Sequence, residues 1–367
     1  MVRFSKNLIF LAYKLQPSTK RAKRTKTQTK RNNQMKAFQL QQYDKKNLAL
    51  NCVDLPRPQV APNEVLIEVK AAGVNPLDNM ITRGDVKMIT PYELPQTMGN
   101  ECAGMIVEVG SEVKDFAVGD AVFSRLPISC PGAFAEYVAV PADAVARMPE
   151  GLSFEEAASI PLTALTAYQA LDLLEAKPGS SIFISGGSGG LGAMAIPLAK
   201  ARGLKVYTNG NSASRERVMA LGADRYLDYR EEDYLEVLEP VDYVLDSLGG
   251  KELDRQMKLL RRGGKIVSLK GMPNARFAQR FDLPTWKRWL FALAAFGVER
   301  KSKQQGITYE FLFVQSNGRQ LAEIARLIAE KGIQPSVGQV FPFAETNEAL
   351  LKVASGGAAG KVVLSFA

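Results

Sequence analysis

The glycine-rich hexapeptide GSGGLG, at residues 187–192, is the segment whose residue types and spacing most directly imply chemistry. It follows a short apolar run that ends at Ser185 and precedes a helical pattern that continues to Ala201. In a strand–loop–helix unit, such glycines allow a tight turn, a close approach of backbone amides to a diphosphate, and close packing of helix on strand. An ordinary glycine-rich turn is the alternative. We predict that a dinucleotide binds to Gly187, Ser188, Gly189, Gly190, Leu191 and Gly192.

The end of the next predicted strand indicates which dinucleotide is preferred. A site selective for NAD places a carboxylate there to hold the ribose 2′-hydroxyl, whereas this chain has Asn209. The serine and arginine residues that follow can donate charge-assisted hydrogen bonds to a 2′-phosphate. We therefore predict NADPH as the cofactor, with Ser212 and Arg215 at the 2′-phosphate. Arg217 fits a plain solvated helix charge equally well.

The composition excludes several kinds of catalytic site. The chain contains no histidine, so it has no Ser-His-Asp triad, no Cys-His pair and no HExxH zinc motif. Its cysteines, Cys52, Cys102 and Cys130, are widely spaced, which indicates neither a disulfide framework nor a cysteine-rich zinc lobe. We expect a reducing compartment, the cytoplasm, and chemistry that depends on a cofactor.

The net charge of +9 arises from one end of the chain. Of the 47 Lys and Arg residues, ten lie in residues 1–34, which contain no acid, and 37 remain to set against 38 Asp and Glu. We predict a basic, disordered extension there, with a targeting peptide and a phosphate-binding arm as alternatives. The near-neutral body argues against specific nucleic-acid binding. Since the body has no apolar run near eighteen residues, we expect no membrane insertion.

The pattern of elements changes along the chain. From residue 35 to about 140 it indicates short strands separated by turns, and Ser153 with Glu156 indicates a helix N-cap. The middle of the chain then alternates short apolar strands with helices, which is typical of an α/β doubly wound parallel sheet. Residues 273–306, which hold both tryptophans, are predicted to be a helical excursion over the sheet edge or a lid over the substrate. The predicted strands are 181–185, 205–209, 241–246, 265–269 and 311–314, with helices at 214–221, 251–260 and 319–330.

Further motifs occur in a fixed order on both sides of the glycine loop. They are AGVNPLD (72–78), GNECAG (99–104), VGDAV (118–122), GAFAEYV (132–138), LTAY (165–168), LGAD (221–224), DSLGG (246–250) and GKVV (360–363). Together they resemble the medium-chain dehydrogenase/reductase superfamily, in its zinc-independent quinone oxidoreductase and enone reductase branch. The resemblance implies a GroES-like β-barrel catalytic domain at 35–155, completed by 332–367, a Rossmann NADP-binding domain at 156–331, and an active site in the cleft between them.

The same resemblance implies an enzyme without zinc. Zinc alcohol dehydrogenases of the superfamily carry Cys at the place of Asn75 and His at the place of Asn100. Lacking that Lewis acid, the chain is expected to reduce acceptors already polarised by conjugation, namely quinones or α,β-unsaturated carbonyl compounds. Asn75 is expected near the nicotinamide ribose and the acceptor carbonyl. Tyr92 is the nearest candidate proton donor, although water can protonate a delocalised enolate.

The resemblance also assigns cofactor contacts outside the loop. Thr166 is expected beside the nicotinamide carboxamide, with helix packing as the alternative, and Tyr229 on the adenosine side, with an ordinary sheet-end aromatic as the alternative. Ser247 and Lys361 lie in matching motifs and are expected to contact the cofactor as well.

Other functions stay open at this point. An enoyl-thioester reductase and a non-catalytic NADPH-binding sensor or structural protein are the alternatives. The partner is expected to be a small-molecule substrate. The apolar run 311–313 on a predicted sheet edge favours a homodimer.

Overall fold

The computed structural model of the chain describes residues 34–366. The predictions made for residues 1–33 lie outside this part. The first segment is rich in strands, as its alternating pattern predicts: β1 (Gln34–Leu40), β2 (Asn51–Pro56), β3 (Glu64–Val74), α1 (Pro76–Arg83), β4 (Gln96–Thr97), β5 (Glu101–Val109), β6 (Ala121–Arg125), β7 (Tyr137–Pro141) and β8 (Val145–Arg147).

Strands and helices then alternate. They are α2 (Phe154–Ala158), α3 (Pro161–Leu173), β9 (Ser181–Ile184), α4 (Gly190–Ala201), β10 (Lys205–Gly210), α5 (Arg215–Ala220), β11 (Arg225–Asp228), α6 (Tyr234–Val237), β12 (Val241–Asp246), α7 (Gly250–Leu259), β13 (Leu260–Ser268), α8 (Ala275–Arg280), α9 (Thr285–Ala294), α10 (Phe296–Gln305), β14 (Thr308–Phe311), α11 (Gly318–Lys331), β15 (Val337–Pro342), α12 (Thr346–Ser355) and β16 (Lys361–Ser365). The predicted cap is present: Ser153 Oγ accepts the amide of Glu156, 3.2 Å away, and the Glu156 carboxylate accepts the Ser153 amide.

The middle of the chain forms a six-stranded parallel sheet in the order β11-β10-β9-β12-β13-β14. The order reverses between β9 and β12, and open sheets of this kind bind ligands in the crevice at such a switch point, beyond the carboxyl ends of the strands. The predicted doubly wound sheet is confirmed. Its carboxyl edge is where the glycine loop lies, directly after β9.

A mainly antiparallel sheet forms the other domain, in the order β15-β16-β3-β5-β6-β8, with β7 also paired to β3 and a smaller sheet β2-β1-β4 beside it. The chain end returns to this domain, because β16 pairs antiparallel with β3 and aligns Val362 with Val74. The α/β class with a β-barrel domain is therefore confirmed. One consequence is that Lys361, at the start of β16, lies beside the turn that follows β3.

The outer edge of the parallel sheet differs from the prediction. The edge strand is β14, which begins three residues before the predicted strand 311–314. Its outward carbonyls are already bonded: Arg276 Nη2 donates to Tyr309 O, and Arg280 Nη2 donates to Phe311 O at 3.0 Å. The Phe311 side chain is buried against Phe277, with ring centroids 4.9 Å apart. Arginine side chains thus occupy two carbonyls of the edge on which the homodimer prediction rested.

Residues 273–306 form α8, α9 and α10, between β13 and β14. The inward residues of this excursion, Phe277 and Phe291, belong to an apolar cluster that also contains residues of β12, β13 and β14. Among the helices that the structure describes, not one is both long enough and apolar enough to cross a membrane.

Candidate active site

Two glycines of the loop have no room for a side chain. A Cβ added at Gly187 would lie 2.0 Å from Thr208 Oγ1, and one added at Gly192 would lie 2.2 Å from the carbonyl oxygen of Gly187. The first contact brings the loop against β10, and the second brings the first turn of α4 against the loop. Because of this close packing, the backbone amides of the first turn of α4 point into the crevice, where a diphosphate can accept hydrogen bonds from them.

Asn209 holds the loop in place. Its side-chain Oδ1 accepts the amide of Gly186 at 2.9 Å, and its backbone carbonyl accepts the amide of Gly187 at 3.0 Å. An aspartate at this position would bring a negative charge next to the place of a 2′-phosphate. The neutral amide makes the same loop contact without that charge.

The two arginines of α5 have different surroundings. Arg215 is exposed, donates to Tyr226 O at 3.1 Å and pairs with Glu232 at 3.4 Å. Arg217 turns to the glycine loop and donates to Ser188 O at 2.8 Å. Its Nη1 atom is buried and finds no hydrogen-bond partner within residues 34–366. The sequence left two roles open for Arg217, a contact to the 2′-phosphate and a plain solvated helix charge. Arg217 is the arginine at the loop, whereas Ser212 and Arg215 are exposed.

A buried polar cluster lies where α1 begins. Asn75 Nδ2 donates to Glu101 Oε1 at 2.7 Å and to Gly73 O at 3.3 Å, and Asn75 Oδ1 accepts the ammonium of Lys361. That ammonium also forms an ion pair with Glu101, whose side chain is fully buried. Both N–H groups of the Asn75 amide are therefore used, and only acceptor capacity remains on Oδ1. Asn75 is suited to a ribose hydroxyl and not to an acceptor carbonyl.

The buried cluster and the glycine loop are neighbours. The atom nearest to a Cβ added at Gly190 is Cδ of Lys361, at 3.9 Å. On the other side, Glu101 Oε2 accepts the amide of Leu162 at 2.6 Å, at the start of α3. One turn later, Thr166 Oγ1 donates to Leu162 O at 2.7 Å. These contacts thus connect Asn75, Thr166 and Lys361 through Glu101 and Leu162, and Lys361 lies next to the loop.

Asp78 and Asn100 form a second buried pair below this cluster. The Asp78 carboxylate accepts hydrogen bonds from the backbone amide of Asn75 and from Asn100 Nδ2, both at 2.7 Å. Burial raises the pKa of Asp78 to about 7, although these two hydrogen bonds lower the pKa again in part. Asn100 Oδ1 is buried and has no partner among the described residues.

Tyr92 is near this region, but its hydroxyl is already bonded. It donates to Ile128 O at 2.6 Å, and burial raises the pKa of the phenol. A phenol with a raised pKa is a weaker acid, so the geometry does not favour the proton-donor role. The adjacent Arg125 is fully buried; burial lowers the pKa of its guanidinium to about 10, and Nε and Nη2 find no partner within 34–366.

The remaining predicted contacts surround the loop. Ser247 Oγ donates to Ser185 O at 2.8 Å and would be 3.2 Å from a Cβ added at Gly186. Tyr229 is exposed, and its amide donates to Gly210 O at the end of β10. Leu191 packs against the main apolar core. Four residues of the site were given no catalytic or cofactor-binding role from the sequence: Asp78, Asn100, Glu101 and Arg217. The signal that could have indicated Glu101 is that it is the only charged residue of the motif GNECAG.

The donor set at this place does not fit zinc. The two side chains at the positions of the superfamily's zinc ligands are the carboxamides of Asn75 and Asn100, which already bond to Glu101 and Asp78. Zinc in proteins is bound by thiolate, imidazole and carboxylate ligands, and Cys102, the nearby thiol, is buried, with a pKa raised to about 12 by burial.

Comparison with known proteins agrees with this architecture. The alcohol dehydrogenase GroES-like domain family matches residues 61–150, and the zinc-binding dehydrogenase domain family matches residues 221–364. The NAD(P)H oxidoreductase RTN4IP1, mitochondrial, of Mus musculus is 33% identical over 92% of this chain and 91% of the relative. The 2-methylene-furan-3-one reductase of Solanum lycopersicum is 30% identical over 90% and 79%.

Solved structures agree as well. The quinone oxidoreductase from Coxiella burnetii has a TM-score of 0.78 at 32% identity, covering 91% of this chain and 100% of that one. A mycobacterial protein complexed with NADPH has a TM-score of 0.74 at 25% identity, covering 90% and 99%. With this architecture, these motifs and these relatives, the chain belongs to the medium-chain dehydrogenase/reductase superfamily, in its quinone oxidoreductase and enone reductase branch.

Proposed function

We propose that this chain is an NADPH-dependent oxidoreductase that reduces a quinone or an α,β-unsaturated carbonyl compound without zinc. The observation that carries the proposal is the buried cluster of Asn75, Glu101 and Lys361 beside the glycine loop, where zinc enzymes of the superfamily have metal ligands. The names of the relatives, which include quinone, alkenal and furanone reductases, support the same class of acceptor.

The preference for NADPH rests on Arg217. Its bond to Ser188 O holds the guanidinium at the glycine loop, and the neutral Asn209, which also bonds to the loop, adds no opposing charge; both support a role for Arg217 in binding the 2′-phosphate. Gly187 and Gly192 provide the cradle for the diphosphate. The structure of the mycobacterial relative with NADPH supports a cofactor of this kind.

The residues of the chain position the cofactor and the acceptor, and they do not themselves react. When bound, the cofactor supplies a hydride from C4 of its nicotinamide. Lys361 has three N–H donors, of which Asn75 and Glu101 use two, so one is left for a ribose hydroxyl or a phosphate oxygen. Asn75 Oδ1 accepts from a ribose hydroxyl. Most of the rate then comes from proximity and orientation, and water supplies the proton to the enolate or hydroquinone anion.

Turnover measurements test this proposal. The full chain would be assayed with NADPH or NADH against a benzoquinone, an alkenal, an enone and an enoyl thioester, and with NADP⁺ against primary alcohols. We expect oxidation of NADPH by a quinone, an alkenal or an enone, unchanged by a chelator. Alcohol oxidation that a chelator abolishes would overturn the zinc-independent reading. Tight NADPH binding without turnover on any acceptor would favour a sensor instead.

A cytoplasmic location and a homodimer stay proposals. Some relatives are mitochondrial or chloroplastic by name, so fractionation of cells is the direct test of location. Arginine side chains already bond two carbonyls on the outer edge of β14, so a dimer that paired at this edge would have to displace them. Sedimentation velocity measures that state directly.

A further inference from the structure

An apolar face of α9 points to solvent. Of the thirteen large apolar side chains that are exposed among the described residues, five lie within residues 286–296, and the other eight are scattered over the rest of the chain. The five exposed fractions are 59% for Trp286, 75% for Trp289, 41% for Leu290, 76% for Leu293 and 63% for Phe296. Exposed apolar groups that cluster in this way mark an interaction surface.

The spacing puts four of these residues on one side of the helix. Counted from Trp286, the other three follow at positions +3, +4 and +7, namely Trp289, Leu290 and Leu293. This spacing puts all four on one face of α9. The fold does not need this face, because the opposite side of α9 already packs inward through Phe291, whose ring centroid is 6.2 Å from that of Phe277. The helix is thus apolar on its core side and on its solvent side.

Basic residues flank this face. Residues 276–303 contain seven Lys and Arg and only two acids, whereas all residues after 34 together contain 37 Lys and Arg and 38 acids. Both acids are paired, Glu299 with Arg276 and Asp282 with Arg288. Arg276 and Arg280 also pair with Glu310, and Lys301 pairs with Asp254. The basic residues of the segment that have no acidic partner among the described residues are Lys287, Arg300 and Lys303. Arg300 and Lys303 are exposed. The surface therefore combines exposed tryptophans and leucines with an excess of positive charge.

We propose that α9 and most of α10, residues 285–303, form a docking surface for a bilayer with anionic headgroups. Tryptophan is favoured at the boundary between headgroups and acyl chains, where leucine and phenylalanine side chains enter the acyl region. Each Lys or Arg near an anionic leaflet adds to the attraction. This is docking at the surface, and none of the helices within residues 34–366 is suited to cross the bilayer.

Charge selects a bilayer over a second copy of this chain. In a two-fold contact the same patch meets itself, which would bring two excesses of positive charge together with no free acid in the patch to offset them. An anionic lipid surface complements the patch. The inference goes beyond the proposed oxidoreductase activity and does not depend on which acceptor is reduced.

Tryptophan fluorescence of the full chain is the test, because Trp286 and Trp289 are the only tryptophans in the sequence. The protein would be titrated with phosphatidylcholine vesicles with and without phosphatidylglycerol, and with lipids brominated on the acyl chains. We expect a blue shift and quenching by brominated lipid on the anionic vesicles, and much weaker binding to the neutral ones.

Paired variants sharpen the result. L290S/L293S keeps both tryptophans and is expected to weaken binding at least about tenfold, because two leucines no longer enter the bilayer. R300E/K303E is expected to lose the preference for anionic vesicles. Leu351→Ser, which changes an exposed leucine on α12, is the control and should bind as the parent does.

Three outcomes would overturn the proposal. Co-sedimentation with vesicles without any change in tryptophan emission would assign binding to another part of the chain, such as the basic residues 1–34. Emission that shifts with protein concentration in the absence of lipid, together with a dimer in sedimentation velocity, would assign the face to a second copy. Absence of any response to anionic vesicles would leave no lipid partner.

Discussion

At the scale of single residues, two arginines two positions apart in the chain have different tasks. Arg215 is held by Tyr226 O and Glu232, whereas Arg217 bonds to Ser188 O and keeps one buried N–H group unpartnered among the described residues. The residue that faces the cofactor loop is thus set by which way each side chain leaves α5.

We expect Arg217→Ala to raise KM for NADPH about 10- to 150-fold and to leave KM for NADH nearly unchanged. The reason is that one charge-assisted hydrogen bond to the 2′-phosphate is worth about 1.5–3 kcal/mol. Initial-rate measurements with both cofactors give the ratio.

Arg215→Ala is the matched control and should change both constants little. If Arg215→Ala lowers the preference for NADPH and Arg217→Ala does not, the sequence-based assignment of Arg215 is right and the assignment drawn from the loop contact is wrong.

At the scale of elements, α1 begins over a buried carboxylate. Asp78 receives two hydrogen bonds at the N-terminus of α1, yet burial still raises the pKa of Asp78 to about 7 from 3.8. The folded state therefore holds a proton that the unfolded state has lost between pH 4 and 7. In this window the contribution of Asp78 to stability falls as pH rises, and above pH 7 it is constant.

We expect Asp78→Asn to gain stability relative to the parent as pH rises from 5 to 7, by at most about 1.4 kcal/mol per pH unit. The free Oδ1 of Asn100 can accept the new amide after a flip of the Asn100 side chain, which keeps the pair bonded. Denaturant unfolding at several pH values measures the difference.

Asp233→Asn is the control of opposite sign. The amide of Leu235 and the guanidinium of Arg255 lower the pKa of Asp233, so this variant loses stability above about pH 4, and the loss shrinks as pH falls. A difference between Asp78→Asn and the parent that is flat from pH 5 to 7 would show that the Asp78 carboxyl does not titrate there.

The junction of β9 and α4 is a second element whose geometry can be tested. A Cβ at Gly192 would be 2.2 Å from the backbone oxygen of Gly187, which cannot move aside, whereas one at Gly189 would be 3.5 Å from its nearest neighbour. We expect Gly192→Ala to lower the free energy of unfolding of the cofactor-free protein by about 1–3 kcal/mol or more.

Gly189→Ala should change that free energy by less than about 1 kcal/mol, which is within the usual range of surface substitutions. Thermal and denaturant unfolding without cofactor separate this packing effect from any effect on binding. Equal stability of the two variants would mean that α4 can shift away from the loop.

At the scale of the whole molecule, the chain end completes the site. Lys361 comes 286 positions after Asn75, and both pair with Glu101 in the interior. This buried ion pair joins β5, β16 and the N-terminus of α1, and through Leu162 it also contacts α3.

We expect Lys361→Met to lower the free energy of unfolding by about 3–5 kcal/mol, because it leaves the Glu101 charge buried without its counter-ion. The double variant K361M/E101Q should lose less, since it removes the stranded charge. Lys200→Met, which breaks the surface pair with Asp224, is the control, with an expected loss of about 0–1 kcal/mol.

Denaturant unfolding of the four proteins measures these differences. A loss for Lys361→Met no greater than for Lys200→Met, or a double variant as unstable as the single one, would contradict the account of a buried, coupled pair.

The sequence by itself determined the features that depend on residues close together in the chain. The glycine spacing after an apolar strand, the strand–helix alternation and the cap at Ser153 predicted the doubly wound sheet and the cofactor loop, because each depends on neighbours within a few residues. The absence of histidine excluded several mechanisms, since no fold can supply a missing imidazole.

Only the tertiary structure decided which distant side chains meet. Four features all depend on how elements pack: the pairing of Lys361 with Glu101, the choice of Arg217 over Arg215 at the loop, the arginines bonded to the edge of β14, and the outward tryptophans of α9. Side-chain direction and burial follow from that packing, and the periodicity of a sequence gives each face of a helix without saying what lies against it.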